Sequence, residues 1–285
     1  MLHGSKQLCG EYSLVLEARD IEHVVREIEG GWLLTVPPSM LQRAIEEISR
    51  YTAERSIPRS IPQRIEPHSG AALGAIAYTA ILLLIAYCAG SRMFGMDWLS
   101  AGALDAGAAR EWWRAFTALT LHVDQEHLLG NLLFGVVVGI AAGQLLGPGV
   151  GWASIVGAAA LANTLEVLVS PATHHAVGAS TAVFAGLGLL TGMAWQPRLS
   201  SRERAWYRWA PLIAGASLLT LLGAGTEHVD VLGHGLGFLF GVGIGWVLAR
   251  AKISRYREPL VQMIAGIATL ILVGIAWLLA INHAT

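Results

Sequence analysis

The sequence predicts an all-α polytopic membrane protein with a small α+β domain ahead of its first span, and three observations predict it. The 285 residues are 54% hydrophobic and 14% charged, with a mean hydropathy of +0.54; ordinary soluble domains carry about 25% charge. Seven segments, near 71–89, 126–145, 150–169, 179–195, 209–224, 230–249 and 259–281, are long and apolar enough to cross a hydrocarbon core of roughly 30 Å. The first 55 residues do not share this pattern and read as a separate cytoplasmic domain.

Within that domain, YSLVLEA and WLLTV read as short strands, and DIEHVVREIEG puts Ile21, Val24, Val25 and Ile28 on one helical face. SMLQRAIEEISRYTAE opens with Ser39 and Gln42 at capping-box spacing and continues with Leu41, Ala44, Ile45 and Ile48 on one side. The expectation is a βαβα unit over 1–55, followed by a proline-rich linker over 56–70. So small a unit is marginal alone, so self-association or a partner is expected through it. The opening MLHGSKQLCGEYS lacks the apolar core of a secretory signal, and no hydrophobic run precedes Leu8-Cys9-Gly10 to make it a lipidation site. The second cysteine, Cys88, lies in the first apolar stretch, so neither a disulfide framework nor a cysteine metal site is expected. A formal net charge of −1 gives no electrostatic footprint for nucleic acid.

Positive charge orients the spans. QPRLSSRERAWYR (196–208) holds four arginines, RAKISRYR (250–257) holds three arginines and a lysine, and Arg55, Arg59 and Arg64 precede the first span. The loops at 170–178 and 225–229 hold neither lysine nor arginine. Seven spans with the N-terminus inside put all three basic segments on the cytoplasmic side. The segment 90–125 is the exception, placed outside with three arginines beside Asp97, Asp105, Glu111 and Asp124. Trp152, Trp195, Trp206, Trp209 and Trp246 fall near inner ends and Trp98, Trp112, Trp113 and Trp277 near outer ends, as interfacial rings do.

GASTAVFAG (178–186) sets Ser180 among small residues at the start of the fourth span. Counting from the inner interface, Ser180 to Trp195 is about 22 Å of helix, His234 to Arg250 about 24 Å and His127 to Gln144 about 26 Å. One serine and two histidines therefore share a layer near the outer face, although their spans come from different parts of the chain. Gly233, Gly237, Gly241 and Gly245 recur every four residues in the sixth span, with His234 on the same face. Such rows let helices approach closely, and Gly178, Ala182, Ala185, Gly186 and Gly188 are the small residues of the fourth span.

The chemistry such a meeting allows is specific. A serine hydroxyl is a poor nucleophile until a base takes its proton, and a desolvated, neutral imidazole accepts that proton and passes it to the leaving amine. A tetrahedral oxyanion needs donors aimed at it. His127 and Asn131, one turn apart in HLLGNLLFG, both donate, and the Ser180 backbone N–H at a helix start is a third donor. Asp230, one turn before His234, reads as the cap of the sixth span rather than a third catalytic member, leaving a Ser–His dyad. Asn163 and Glu166, three apart in the third span, read as an interhelical hydrogen bond, with a water-channel role as the alternative; His174 and His175 read as solvent-facing.

Over about 110–245 these motifs resemble the rhomboid intramembrane serine proteases. EWWR (Glu111, Trp113, Arg114), the His127/Asn131 pair, GASTA (Gly178, Ser180) and GHGLG followed by Gly241 (His234, Gly237, Gly241) match that family's motifs in order. The resemblance implies a six-span catalytic core over 71–249 with the seventh span (250–285) added. It implies Ser180 as nucleophile, His234 as base, His127 and Asn131 at the oxyanion, and His122 in a structural or water-holding role. Phe184 replaces a tyrosine that stacks on the catalytic histidine, Thr181 replaces a common glycine, and Glu111 and Arg114 hold an outer loop. It further implies single-span transmembrane substrates in a bilayer (here a bacterial inner membrane), no metal or cofactor, and gating by the fifth span and residues 223–229. The rival readings are an inactive family member that binds or escorts membrane clients, and a small-molecule transporter, against which the lack of an inverted repeat counts.

Overall fold

The computed structural model describes residues 1–56, 66–199, 205–223, 230–251 and 256–284, and the chain divides into two units, Met1–Arg64 and Ile65–Thr285. In the first unit β1 (Leu2–Gly4), β2 (Val24–Ile28) and β3 (Gly31–Thr35) form an antiparallel sheet in the order β1-β3-β2. Two helices, α1 (Lys6–Glu17) and α2 (Leu41–Ser56), accompany it. Cys9, Leu16, Ile21, Leu34 and Ala44 make its core. Glu11 of α1 accepts from the Tyr51 hydroxyl and the Arg55 guanidinium of α2, and these contacts hold its carboxyl below the usual carboxylate range.

The expected βαβα order is therefore replaced by βαββα. YSLVLEA lies in α1, whose Ser5 cap accepts from Leu8 N at 3.2 Å. VVREI is a strand paired with β3 across the Glu29-Gly30 turn. Apolar residues in runs this short fit either period, and cap and turn decide. The capping box is absent too: α2 follows a single turn at Pro38–Met40, and Gln42 reaches forward to Glu46 at 3.1 Å. WLLTV is a strand, as expected. Of the expected linker, residues 57–65 lie outside the described residues.

In the second unit each expected apolar segment falls on a helix: α3 (Ala71–Gly90), α6 (Gln125–Leu146), α7 (Pro148–Val169), α8 (Ser180–Leu199), α9 (Ala205–Gly223), α10 (Val231–Arg250) and α11 (Pro259–Ala284). Five of these, α3, α6, α7, α10 and α11, are long and apolar enough to cross a membrane among the described residues. Between α3 and α6 lie α4 (Trp98–Gly102), β4 (Leu104–Asp105) and α5 (Arg114–Thr117). β4 pairs antiparallel with β5 (His175–Ala176), just ahead of α8. Parts of the two basic segments, 200–204 and 252–255, lie outside the described residues, as do residues 224–229 of the expected gate.

Small residues set the helix spacing, as they do where lipid rather than water surrounds a bundle. Ala142, Ala158, Ala159, Ala182 and Ala185 sit in one buried cluster with Leu146, Ile155 and Leu189. The Trp152 ring is a wedge rather than a membrane-surface anchor. It stacks on Tyr78 with centroids 4.7 Å apart and fills the notch between Gly74 of α3 and Gly139 of α6, where an added Cβ would come within 2.1 Å of it.

The last helix docks through one buried amide. Gln262 Oε1 accepts from Gly149 N at 2.8 Å and Val150 N at 3.1 Å, while its Nε2 donates to Leu146 O at 2.7 Å and to Tyr256 O. Gly149 N, Val150 N and Leu146 O are groups that the tight α6–α7 turn at Gly147 (φ +87°) leaves without helical partners. Gln262→Leu strands them in an apolar setting, at about 1–3 kcal/mol for each group left unpaired. The variant is expected to unfold several degrees lower in detergent, read by a thermal melt of the purified protein.

Candidate active site

Helices α8 and α10 are pressed together along glycine. A Cβ added to Gly237, Gly241 or Gly245 would come within 2.6, 2.1 and 2.2 Å of the carbonyl oxygens of Thr181, Ala185 and Leu189. From the other side, Gly188 and Gly192 meet Phe238 O at 2.1 Å and Val242 O at 2.2 Å. Residue numbers rise together on both helices, so the pair is parallel and both N-termini lie at one end. Gly186 instead meets Val138 of α6 at 2.4 Å, and Gly178 meets His127, so α6 runs in the same direction.

That register places the chemistry. Residues 184, 188 and 192 of α8 lie along 234, 238 and 242 of α10. His234 stacks on Phe184 with ring centroids 4.4 Å apart and planes tilted by 39°. Ser180, the first residue of α8, is one turn from Phe184 on that face. His234 is buried, and its Nδ1 has no hydrogen-bond partner. No hydrogen bond joins Ser180 to His234 among the described residues; such bonds are often long without substrate and tighten in the complex. Asp230 caps α10, its Oδ1 accepting from Gly233 N at 2.8 Å, and among the described residues no carboxylate hydrogen-bonds the His234 ring.

The turn leading into Ser180 is held by its surroundings. Gly178 adopts φ +135°, and a Cβ there would lie 2.7 Å from His127 Cε1 and Nε2 and 3.4 Å from Ser180 Oγ. His127 and the hydroxyl thus flank one point, and only glycine both takes this conformation and leaves the space open. Gly178 N donates to Ala118 O at 2.9 Å, and Ala179 N donates to His122 Nε2 at 3.4 Å. His122 also meets His127 edge-on at 5.1 Å. His122 thereby contacts the backbone of the turn that leads into Ser180. Asp124 caps α6 by accepting from His127 N at 2.7 Å. Asn131, buried one turn on, donates Nδ2 to His127 O at 3.1 Å.

Thr181 turns away from the hydroxyl, and its Cγ2 lies 3.2 Å from where a Gly237 Cβ would be. Arg114 donates to Glu111 at 2.7 Å and to the carbonyls of Ser100 at 2.9 Å and Ala103 at 2.8 Å. Trp113 is buried between His283 and Trp112. These three residues staple the segment before α6 and lie apart from Ser180.

Two side chains depart from expectation. Asn163 bonds Ala115 O at 2.9 Å, an interhelical bond as read from the sequence, but Glu166 is fully buried and bonds His174 Nε2 at 2.8 Å. His174 is therefore not solvent-facing; His175, 60% exposed, is. What the sequence reading missed is backbone: Ala118, whose carbonyl holds Gly178, and the β4–β5 pair that ties this loop to the α4 region. Carbonyl positions carry no residue signature.

The model of the Rhomboid domain family matches residues 109–251, which contain every residue just described around Ser180. Rhomboid protease GluP of Bacillus subtilis (strain 168) is 28% identical over 162 residues, 56% of this chain. The matched region spans about a third of that relative's length (31%). The family match covers half of the chain, and with the motif residues converging at one end of α6, α8 and α10, the chain belongs to the rhomboid family.

Proposed function

We propose that this protein is an intramembrane serine endopeptidase that cuts single-span membrane proteins in or near their transmembrane segments, using a Ser180–His234 dyad. The observation that carries the reading is the α8/α10 register, which stacks His234 on Phe184 one turn from Ser180 while His127 faces the Gly178 turn beside the hydroxyl. Similarity to a relative named as a protease supports it.

In this mechanism His234 Nε2 takes the Ser180 proton as Oγ attacks the scissile carbonyl. His127, the free N–H of Asn131 and the Ser180 backbone N–H receive the oxyanion. The imidazolium then protonates the departing amine, and a water activated by the same ring hydrolyses the acyl-enzyme. Phe184 holds the ring in place of a carboxylate. The reading includes seven spans in a bacterial inner membrane, a cytoplasmic N-terminal domain open to self-association or a partner, and a site near the outer face.

Labelling the purified protein with a serine-directed fluorophosphonate tests it: the wild type takes the label and Ser180→Ala does not. An unlabelled wild type supports a client-binding, non-cutting protein instead. Asn131→Ala is expected to lower turnover of a model single-span substrate by roughly 10- to 1,000-fold, the range for a lost oxyanion donor. An unchanged rate removes Asn131 from that role.

A further inference from the structure

We propose that Glu166, His174 and Asp230 form a binding site for one divalent first-row transition-metal ion, with zinc the best fit. The three come from separate elements: the last turn of α7, the loop ahead of β5 and the cap of α10. One donor atom from each lies within 4.8 Å of the others.

One buried oxygen of the cluster stands without a partner. Glu166 is fully buried; His174 Nε2 contacts its Oε1 at 2.8 Å, but its Oε2 has no hydrogen-bond partner. That oxygen and Asp230 Oδ2 point at the same void, lying 2.8 and 2.2 Å from where a Gly233 Cβ would be. Asp230 Oδ1 is already engaged with Gly233 N, so Oδ2 is its free donor. Ionised carboxylate oxygens only accept, and a buried polar atom without a partner is costly. Two such oxygens facing one another are joined by either a proton or a metal cation, and an imidazole beside them completes a donor set for the second.

Donor chemistry selects the ion. Calcium and magnesium favour all-oxygen shells of six or more ligands, whereas two carboxylates and one imidazole, with a fourth position for water, suit tetrahedral zinc. Zinc bonds of about 2.0–2.1 Å put tetrahedral donors about 3.4 Å apart, so the set closes by roughly an ångström. His174, on a loop and 28% exposed, supplies that movement. The bound ion would join α7 to the first turn of α10 and to the loop that enters α8. It would brace the helix that carries His234 without touching either Ser180 or His234.

The full-length chain in detergent, stripped with chelator, is titrated with Zn²⁺ by calorimetry, with metal content and thermal midpoint measured in parallel. The expected result is one zinc per chain at micromolar or tighter affinity, with a rise in melting temperature. His174→Gln, Glu166→Gln and Asp230→Asn are each expected to weaken zinc at least tenfold; Asn retains the helix cap, and His174 is exposed enough that its variant folds. No zinc uptake by the wild type, or wild-type affinity in His174→Gln, overturns the site. The first outcome leaves a shared proton as what joins the two carboxylates, and the second places the ion on other histidines. Neither readout depends on proteolysis, so failure here is separate from failure of the protease reading.

Discussion

Ser180→Ala and His234→Ala are each expected to lower cleavage of a single-span substrate by on the order of 10⁴-fold or more and to leave the fold intact. In the proposed mechanism Ser180 supplies the attacking oxygen, and among the described residues no other hydroxyl stands beside both His127 and the Gly178 turn. Thr181, next in sequence, packs its methyl toward Gly237 and is no substitute. His234 is the base, and its loss leaves an unactivated hydroxyl whose nucleophilicity is low at neutral pH. The two residues act as one unit, so Ser180→Ala/His234→Ala is expected to be no slower than either single variant. Both side chains sit in the first turn of their helices at one end of the bundle, and neither makes a hydrogen bond that the fold depends on. Thermal midpoints should therefore stay within a few degrees of wild type. The measurement is initial cleavage rate in detergent or proteoliposomes, alongside the melt. A rate within tenfold of wild type for either single variant removes that residue from the chemistry.

What could be read from the sequence follows the strength of the physical constraint at each level. Spans are legible because a bilayer demands about twenty apolar residues without relief, and all seven apolar segments fall on helices. The small soluble unit obeys a weaker rule. YSLVLEA and DIEHVVREIEG hold apolar residues that satisfy period 2 and period 3.6 alike, and the outcome rests on the Ser5 cap and the Glu29-Gly30 turn. At the site, side chains that are costly in a membrane stand out: Ser180, His234, His127 and Asn131 were singled out by type, spacing and depth, and the structure gathers them at one end of α6, α8 and α10. The Asp230 cap was also readable, because capping is local. His174 was misread, since its partner Glu166 lies on another element and nothing in the loop predicts the meeting. Ala118 carries no signal at all, because its role belongs to a carbonyl every residue possesses. Gln262 drew no reading from the sequence; its task, bonding the α6–α7 turn, exists only once α11 packs against that turn.

Gly241→Val is expected to cut activity by about 100-fold or more and to lower stability, while Gly243→Ala, two residues away, leaves both unchanged. The Gly241 Cβ would fall 2.1 Å from Ala185 O, and a backbone carbonyl in the middle of a helix cannot move aside as a side chain can. The helices must separate by an ångström or more, and overpacking of this kind typically costs about 1–3 kcal/mol. The larger consequence is positional. Phe184 and Ser180 lie on α8 and His234 on α10, so any separation lengthens the Ser–His distance and loosens the ring stack. Misplacing reacting groups by about an ångström costs roughly 10²-fold in rate. Gly243 has no atom within 4 Å of its would-be Cβ, so its substitution leaves helix spacing alone. The pair therefore separates close approach from the general effect of replacing glycine in a membrane helix. Equal losses in the two variants would mean that helix composition, not the α8/α10 spacing, sets the activity; a loss confined to Gly241→Val ties the glycine row to delivery of His234.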